Sequence, residues 1–215
     1  MQSTSRVDSG DAALIQTVDA ALAEAAPKSG PWLACRPGCT QCCIGPFPIT
    51  PLDARRLRQG LASLEASDPE RAAHVRERAR DAVSRFACHF PGDSVTGVLF
   101  EGHPGEQSFY DETDEEHCPA LDPQTGLCDL YTARPLACRA FGPPIRFAAE
   151  SLAVCELCFE GASDDEIAAC EVEIDPGDLE SGLLREVEET TGARGDTLVA
   201  FALAEPWLTT TKSGC

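Results

Sequence analysis

The sequence is poor in aromatic residues and has a single methionine. Phe, Trp and Tyr together make up 6% of the 215 residues, although hydrophobic residues reach 43%. That hydrophobic fraction is typical of a globular chain and excludes general disorder. The core must therefore consist largely of Leu, Val and Ala. Twelve cysteines indicate that cross-links or metal ions supply part of the stability.

Long apolar runs are also missing. No stretch approaches the roughly 20 residues needed to span a bilayer. The first residues lack the basic segment and apolar segment of a secretory signal. We therefore expect a cytoplasmic protein with no membrane partner. Thiols stay reduced in that compartment, so a dense cysteine pattern there indicates metal binding more often than disulfides.

Basic residues are absent from two long stretches. Residues 87–133 contain ten acidic residues and residues 147–184 contain eleven, without one Lys or Arg in either. The net charge of −19 disfavours nucleic acid as a partner, because long-range repulsion opposes its approach. Between the two stretches, residues 131–146 carry Arg134, Arg139 and Arg146 and no acidic residue. This short cationic segment surrounds a cysteine, Cys138.

The hydrophobic periodicity predicts a mainly α fold with a loop-rich, Cys-rich metal-binding core that contains a little β structure. Apolar residues recur at helical spacing between Leu14 and Ala25, and "PKSGP" predicts the end of that helix. Thr50 and Asp68, each followed by proline, predict the starts of two further helices. Ser163 caps another predicted helix, and "DTLVAFALA" predicts a short last one. We expect an N-terminal lead and helix at 1–30, a cysteine-cluster domain at 31–160 and a helical extension at 161–215.

Turn signals organise the middle of the chain. "DSVTGVLF" and "QSFY", which flank "EGHPGE", predict a short β-hairpin. Asp122-Pro123 and Gly126 predict a tight turn that brings Cys118 and Cys128 together. Pro135 predicts the start of a short helical turn that carries Cys138.

The cysteines themselves are closely spaced. "CRPGCTQCC" has Cys-x3-Cys-x2-Cys-Cys spacing, which lets successive thiolates face one ion or cluster. Including later cysteines, the candidate metal ligands are Cys35, Cys39, Cys42, Cys43, Cys118, Cys128, Cys138, Cys155 and Cys158. Nine candidates are enough for two four-thiolate sites with one to spare.

The adjacent pair, Cys42 and Cys43, favours two neighbouring metal centres or one polynuclear centre. Side chains at i and i+1 diverge, so the pair would not easily bind one tetrahedral ion. A zinc ion with four thiolates carries a net charge of −2, which Arg36, Arg134 and Arg139 could offset by donating hydrogen bonds to sulfur. The alternative for these arginines is surface ion pairing with acidic loops.

Two separated motifs carry a family resemblance. "CRPGCTQCC" followed by "CPALDPQTGLCDLYTARPLACRAFG" resembles the CxxCxxCC family of YkgJ-type cysteine-cluster proteins, a zinc- or iron-chelating domain. The resemblance spans about residues 35–158. It implies zinc or iron as the cofactor, including iron in an iron–sulfur cluster. It also implies about eight ligands: Cys35, Cys39, Cys42, Cys43, Cys118, Cys128 and Cys138, with the last one at either Cys155 or Cys158.

Three functions fit these observations. The first is a metal-binding protein that holds zinc or iron in a structural or metal-handling role. The second is an iron–sulfur redox or protein-modifying enzyme. Cys35, Cys39 and Cys42 have the spacing of radical S-adenosylmethionine enzymes, but the βα series of those enzymes is not predicted. The third is a disulfide-stapled interaction protein. No catalytic motif is visible, so non-enzymatic metal binding is favoured, and no motif identifies a protein partner.

Cysteines and histidines outside the motifs have plainer interpretations. Cys88 and Cys170 are predicted to be ordinary buried thiols. Cys215 is predicted to be a free thiol in a loose tail. His117 precedes Cys118 and is an alternative ligand.

Overall fold

A computed structural model describes residues 6–36, 38–147, 150–152 and 154–204. The α-helices are α1 Arg6–Ser29, α2 Pro51–Ser67, α3 Pro69–Phe86, α4 Glu106–Glu112, α5 Leu136–Ala140, α6 Asp164–Cys170, α7 Leu179–Thr191 and α8 Val199–Leu203. The strands are β1 Gly92–Asp93, β2 Val98–Leu99, β3 Ile145–Phe147, β4 Glu150–Leu152 and β5 Val172–Ile174. Short 3₁₀ helices span Gly30–Trp32, Gln41–Cys43 and Tyr131–Ala133. The predicted fold class, mainly α with a little β, is confirmed.

The chain forms two compact units. The first lies within Met1–Pro37 and Leu136–Gly192, and the second within Gly38–Pro135 and Ala193–Cys215. The three segments predicted from sequence (1–30, 31–160 and 161–215) stay a prediction. No described helix is both long and apolar enough to cross a bilayer.

The first unit packs α1 against α5, α6, α7 and a small sheet. Leu14 and Val18 of α1 are fully buried, as the helical spacing predicts. The sheet has the order β4-β3-β5, with β3 antiparallel to β4 and parallel to β5. Ser163 and Glu166 form a capping box at the start of α6, which confirms the predicted cap.

The second unit is built on α2, α3 and α8. The Thr50 side chain accepts a hydrogen bond from Asp53 N, and the Asp68 side chain accepts one from Arg71 N, so both predicted helix starts are confirmed. An aliphatic cluster that includes Leu57 and Val75 joins the three helices. Four phenylalanines form a second cluster of this unit: Phe86, Phe90, Phe109 and Phe201.

The predicted β-hairpin is wrong in its position. "QSFY" lies inside α4, and the hairpin pairs β1 with β2 within "DSVTGVLF" itself. Asp93 closes this turn, because its side chain accepts hydrogen bonds from Val95 N at 2.9 Å and Thr96 Oγ1 at 2.8 Å. Gly97 occupies the left-handed region with φ +68°, so the glycine belongs to the turn rather than interrupting a strand.

Candidate metal centre

The two units divide the nine predicted ligands between them. The first unit contains Cys35, Cys138, Cys155 and Cys158, and the second contains Cys39, Cys42, Cys43, Cys118 and Cys128. All nine are thiols without a disulfide bond. Cys155 and Cys158 are buried, whereas Cys35 is exposed and the remaining six are half-buried.

In the second unit, the cysteine run and Cys118 are held side by side by the backbone. Cys118 N donates to Cys43 O at 2.8 Å, and Gly45 N donates to Glu116 O at 2.8 Å. Ile44 and His117 form an isolated antiparallel bridge between these two hydrogen bonds. The main chain therefore fixes Cys118 against the end of the run.

The predicted tight turn connects Cys118 to Cys128. Gly126 N donates to Asp122 O at 2.9 Å, and Thr125 Oγ1 donates to the Asp122 carboxylate at 2.6 Å. Leu121 forms an antiparallel bridge with Cys128. Gly126 has φ +68°, which explains the glycine at this position. The predicted turn is confirmed, and it brings Cys118 and Cys128 into electrostatic interaction.

Burial and mutual repulsion oppose ionisation of these thiols. Burial raises the pKa of Cys118 to about 12, and the neighbouring Cys128 and Cys42 raise it as well. Burial likewise raises the pKa of Cys128. A bound cation removes both penalties, because it offsets the charge that burial and repulsion disfavour.

The adjacent thiols of Cys42 and Cys43 influence each other's ionisation. Hydrogen bonding between them lowers the pKa of Cys42 to about 6 and raises the pKa of Cys43. Their placement in two neighbouring metal centres or in one polynuclear centre stays a prediction. Both residues lie in the 3₁₀ helix Gln41–Cys43. A 3₁₀ helix has three residues per turn, so neighbouring side chains are about 120° apart rather than opposed as in a strand.

Arg134 supplies positive charge to this cluster. It lowers the pKa of both Cys42 and Cys128. Its guanidinium lies 3.9 Å from the centre of the Tyr131 ring, a cation–π geometry that fixes its position. Tyr131 is a residue that sequence reasoning missed, although its spacing of three from Arg134 on a short helical turn was a usable signal.

Arg139 of the first unit donates to both carboxylate oxygens of Asp19, at 2.8 and 3.0 Å.

In the first unit, Cys35 and Cys158 approach each other directly, with their sulfurs 4.0 Å apart. The loop of Cys158 is anchored by a hydrogen bond from Phe159 N to Trp32 O at 2.9 Å and by stacking of the Trp32 and Phe159 rings. Cys155 lies at the start of the same turn, since Cys158 N donates to Cys155 O at 2.8 Å.

Cys35 also lies against the segment that follows α5, the helix that carries Cys138. Its sulfur is 3.9 Å from Phe141 O. A Cβ on Gly142 would stand 2.8 Å from the Cys35 sulfur, and Gly142 has φ +139°. Gly142 was not identified from the sequence, although its position directly after Phe141 at the end of the second motif was a usable signal. The position requires glycine both for its backbone angle and for the space that the sulfur occupies.

The donor set fits zinc or iron, because thiolates are the soft ligands that these metals use in proteins. Two sulfurs on a tetrahedral zinc with Zn–S bonds of about 2.3 Å lie about 3.8 Å apart. The 4.0 Å between Cys35 and Cys158 is close to that edge length. Within the described ranges, no group of three or more His, Cys, Asp or Glu side chains is already arranged to hold a metal ion.

The cysteines outside the motifs differ from one another. Cys170 is buried and its sulfur donates to Lys28 O at 3.3 Å, as expected of an ordinary thiol. Cys88 is exposed and disulfide-bonded, so the prediction of a buried thiol is wrong there. Cys215 lies outside the described residues.

The arrangement is that of a cysteine-cluster domain. Residues 34–158, more than half of the chain, match the family CxxCxxCC, described as a "putative zinc- or iron-chelating domain". The chain therefore belongs to the CxxCxxCC family. No curated protein and no solved structure matches it.

Proposed function

We propose that the protein binds zinc or iron through thiolates in two centres, one in each unit, in a structural or metal-handling role. The observation that carries the proposal is the division of the nine thiols into sets of four and five. Each set is large enough for one four-thiolate site.

In the second unit, the centre would be held by Cys42, Cys43, Cys118 and Cys128. Each of the other three thiols changes the pKa of Cys43 electrostatically or by hydrogen bonding, so the four lie within interaction range. Cys39 is the spare fifth thiol. A bound ion would offset the repulsion between these thiolates, with Arg134 as an additional positive charge.

In the first unit, the centre would be held by Cys35, Cys138, Cys155 and Cys158. The 4.0 Å contact with Cys35 favours Cys158 as the last ligand of the family motif. Because no three ligands are yet in place in the described part of the chain, binding would require side-chain rotations that close the set around the ion.

The alternatives are less well supported. The described residues form only five strands of two or three residues, which is unlike the βα series of radical enzymes. The disulfide-stapled alternative requires several cross-links, whereas ten described cysteines are thiols and, among the described residues, only Cys88 is disulfide-bonded. The cytoplasm, where reducing conditions keep thiols free to bind metal, stays the expected compartment.

Anaerobic purification followed by elemental analysis tests the proposal. We expect two ions per chain, with about one lost from Cys35→Ser/Cys158→Ser and about one lost from Cys42→Ser/Cys118→Ser. Cys170→Ser is the matched control, since that thiol donates to a backbone carbonyl, and it should retain both ions. Visible and EPR spectra separate zinc, which is colourless, from an iron–sulfur cluster. A wild-type chain that binds no metal contradicts the proposal, and loss of all metal from either double variant contradicts two separate centres.

A further inference from the structure

A single arginine of α3 contacts both arms of the cysteine turn in the second unit. Arg78 Nε donates to Pro119 O at 2.9 Å, and Arg78 Nη2 donates to Asp129 Oδ2 at 2.6 Å. Pro119 directly follows Cys118, and Asp129 directly follows Cys128. One rigid guanidinium therefore spans the two residues that succeed the two cysteines.

Asp129 is an unusual residue to find at such a place. Its side chain is 1% exposed, although carboxylates are rarely buried unless they are paired. Its second oxygen, Oδ1, accepts a hydrogen bond from Arg71. Arg71 lies seven residues before Arg78, about two turns earlier on the same face of α3. The buried carboxylate thus has both oxygens occupied by guanidinium groups of one helix.

The backbone transmits this anchoring to the sulfurs. Asp129 N donates to Ala120 O at 2.7 Å, and Leu121 N donates to Cys118 O at 2.9 Å. Cys118 N is in turn bonded to Cys43 O at 2.8 Å. A shift of either arm would therefore change the separation of the Cys118, Cys128 and Cys43 thiols.

We propose that Arg78 is a positioning residue for the thiolates of the second unit, setting the spacing of Cys118 and Cys128 by bridging Pro119 O and Asp129. The assignment rests on the proposed function. Among the hydrogen bonds of the described residues, that of the Arg71 side chain goes to Asp129 and none goes to the Cys118 arm, so Arg71 stabilises the turn without bridging its two arms. An arginine is required because lysine has no planar fork that reaches two acceptors at once.

The test uses Cd²⁺ enriched in ¹¹³Cd as the probe, loaded into the full-length chain. The ¹¹³Cd resonance frequency reports the number of thiolates on each ion, and the first unit's resonance is an internal control. In Arg78→Gln we expect the second unit's resonance to move to a lower thiolate count, and its Cd²⁺ affinity to fall about 10- to 100-fold. Arg76→Gln is the matched control. It lies on the same helix with a similar exposed fraction, 23% against 26%, and pairs with Glu65 instead.

Urea unfolding of these variants and of Arg71→Gln separates a positioning role from a general effect on stability. Arg71→Gln should lower stability while leaving the resonance position unchanged, whereas Arg78→Gln should change both. If Arg78→Gln does not fold, Arg78→Lys replaces it and should show the same resonance change to a smaller degree. Wild-type resonances and affinities in the folded Arg78 variant, or identical changes in Arg71→Gln, would overturn the assignment. Absence of both resonances from the wild-type chain would instead overturn the proposed function.

Discussion

Gly60 lies in the middle of α2, where the helix approaches the 3₁₀ helix Tyr131–Ala133. A Cβ placed on Gly60 would stand 2.3 Å from the Cβ of Ala133 and 3.9 Å from Leu130 Cδ2. Carbon atoms pack at about 3.5–4.0 Å, so an added methyl group would displace the Ala133 segment by about 1.2 Å or more. That segment lies between Cys128 and Arg134, so the close approach of α2 helps to position the second unit's cysteine cluster.

Two opposing effects set the stability of Gly60→Ala. Alanine in a helix interior is more favourable than glycine by about 1 kcal/mol. Overpacking at a tight contact costs about 1–3 kcal/mol. The steric effect is expected to win, because the neighbouring atom is a Cβ fixed to the backbone rather than the end of a flexible side chain. We therefore expect a net loss in the free energy of unfolding of up to about 2 kcal/mol.

Urea unfolding of the metal-loaded chain measures this loss, and Gly182→Ala in α7 is the control. Nothing lies within 4 Å of a Cβ at Gly182, so that substitution should stabilise by up to about 1 kcal/mol. Adding Ala133→Gly to Gly60→Ala removes the clash and should restore stability, with a coupling energy of about 1–3 kcal/mol in the double-mutant cycle. If Gly60→Ala stabilises as Gly182→Ala does, the close approach of α2 to Ala133 is refuted.

Three further predictions concern the metal and the protonation of Asp196. Removing the metal with a chelator under anaerobic conditions should abolish cooperative unfolding of the cysteine-bearing segments, as followed by hydrogen exchange. The reason is that the binding free energy of a structural metal contributes directly to folding. A metal-free chain with unchanged cooperativity would exclude a structural role. Cys35→Ser should lose about one metal ion by elemental analysis, whereas Cys170→Ser should lose none. Burial and the nearby Asp53 raise the pKa of Asp196 above its ordinary 3.8, so its ionised form destabilises the fold at neutral pH. Asp196→Asn should therefore raise the urea midpoint at pH 7, and the gain should vanish below about pH 4, where the acid is protonated in both states; an equal gain at both pH values would contradict this.

Helix starts were predictable because their signals are local. Thr50, Asp68 and Ser163 each accept a hydrogen bond from a backbone N–H three residues later. Such a cap depends on residues within one turn of the chain, so spacing in the sequence is enough to find it. The tight turn between Cys118 and Cys128 was predictable for the same reason.

The position of the hairpin was not predicted because its turn signal was given too little weight. "DSVTG" and "DPQTG" share the pattern Asp-x-x-Thr-Gly, and in both the aspartate accepts from the threonine hydroxyl while the glycine N–H donates to the aspartate carbonyl. The second was recognised as a turn and the first was not. "EGHPGE" attracted the hairpin prediction through its glycines, although the residues after it form a helix.

The partners of the charged residues could not be derived from charge patterning. Charge patterning alone places the arginines of α3 on a solvated face. Arg85 instead pairs with Glu116, and Arg71 and Arg78 with Asp129, both acids being from the stretch that lacks basic residues. These pairs join residues 31 to 58 positions apart, and no local spacing rule reaches that far.

The cysteine run shows why sequence proximity does not define a site. Cys35 and Cys39 are four residues apart, yet they belong to different units. Gly38 between them has φ +87°, a left-handed backbone angle that glycine adopts at little cost. The sulfur of Cys35 lies 4.0 Å from that of Cys158, 123 residues away. Cys42 and Cys43, adjacent in the sequence, shift each other's pKa in opposite directions. Under the proposed function, the run would supply two partial ligand sets on either side of Gly38, and residues from beyond position 117 would complete each of them.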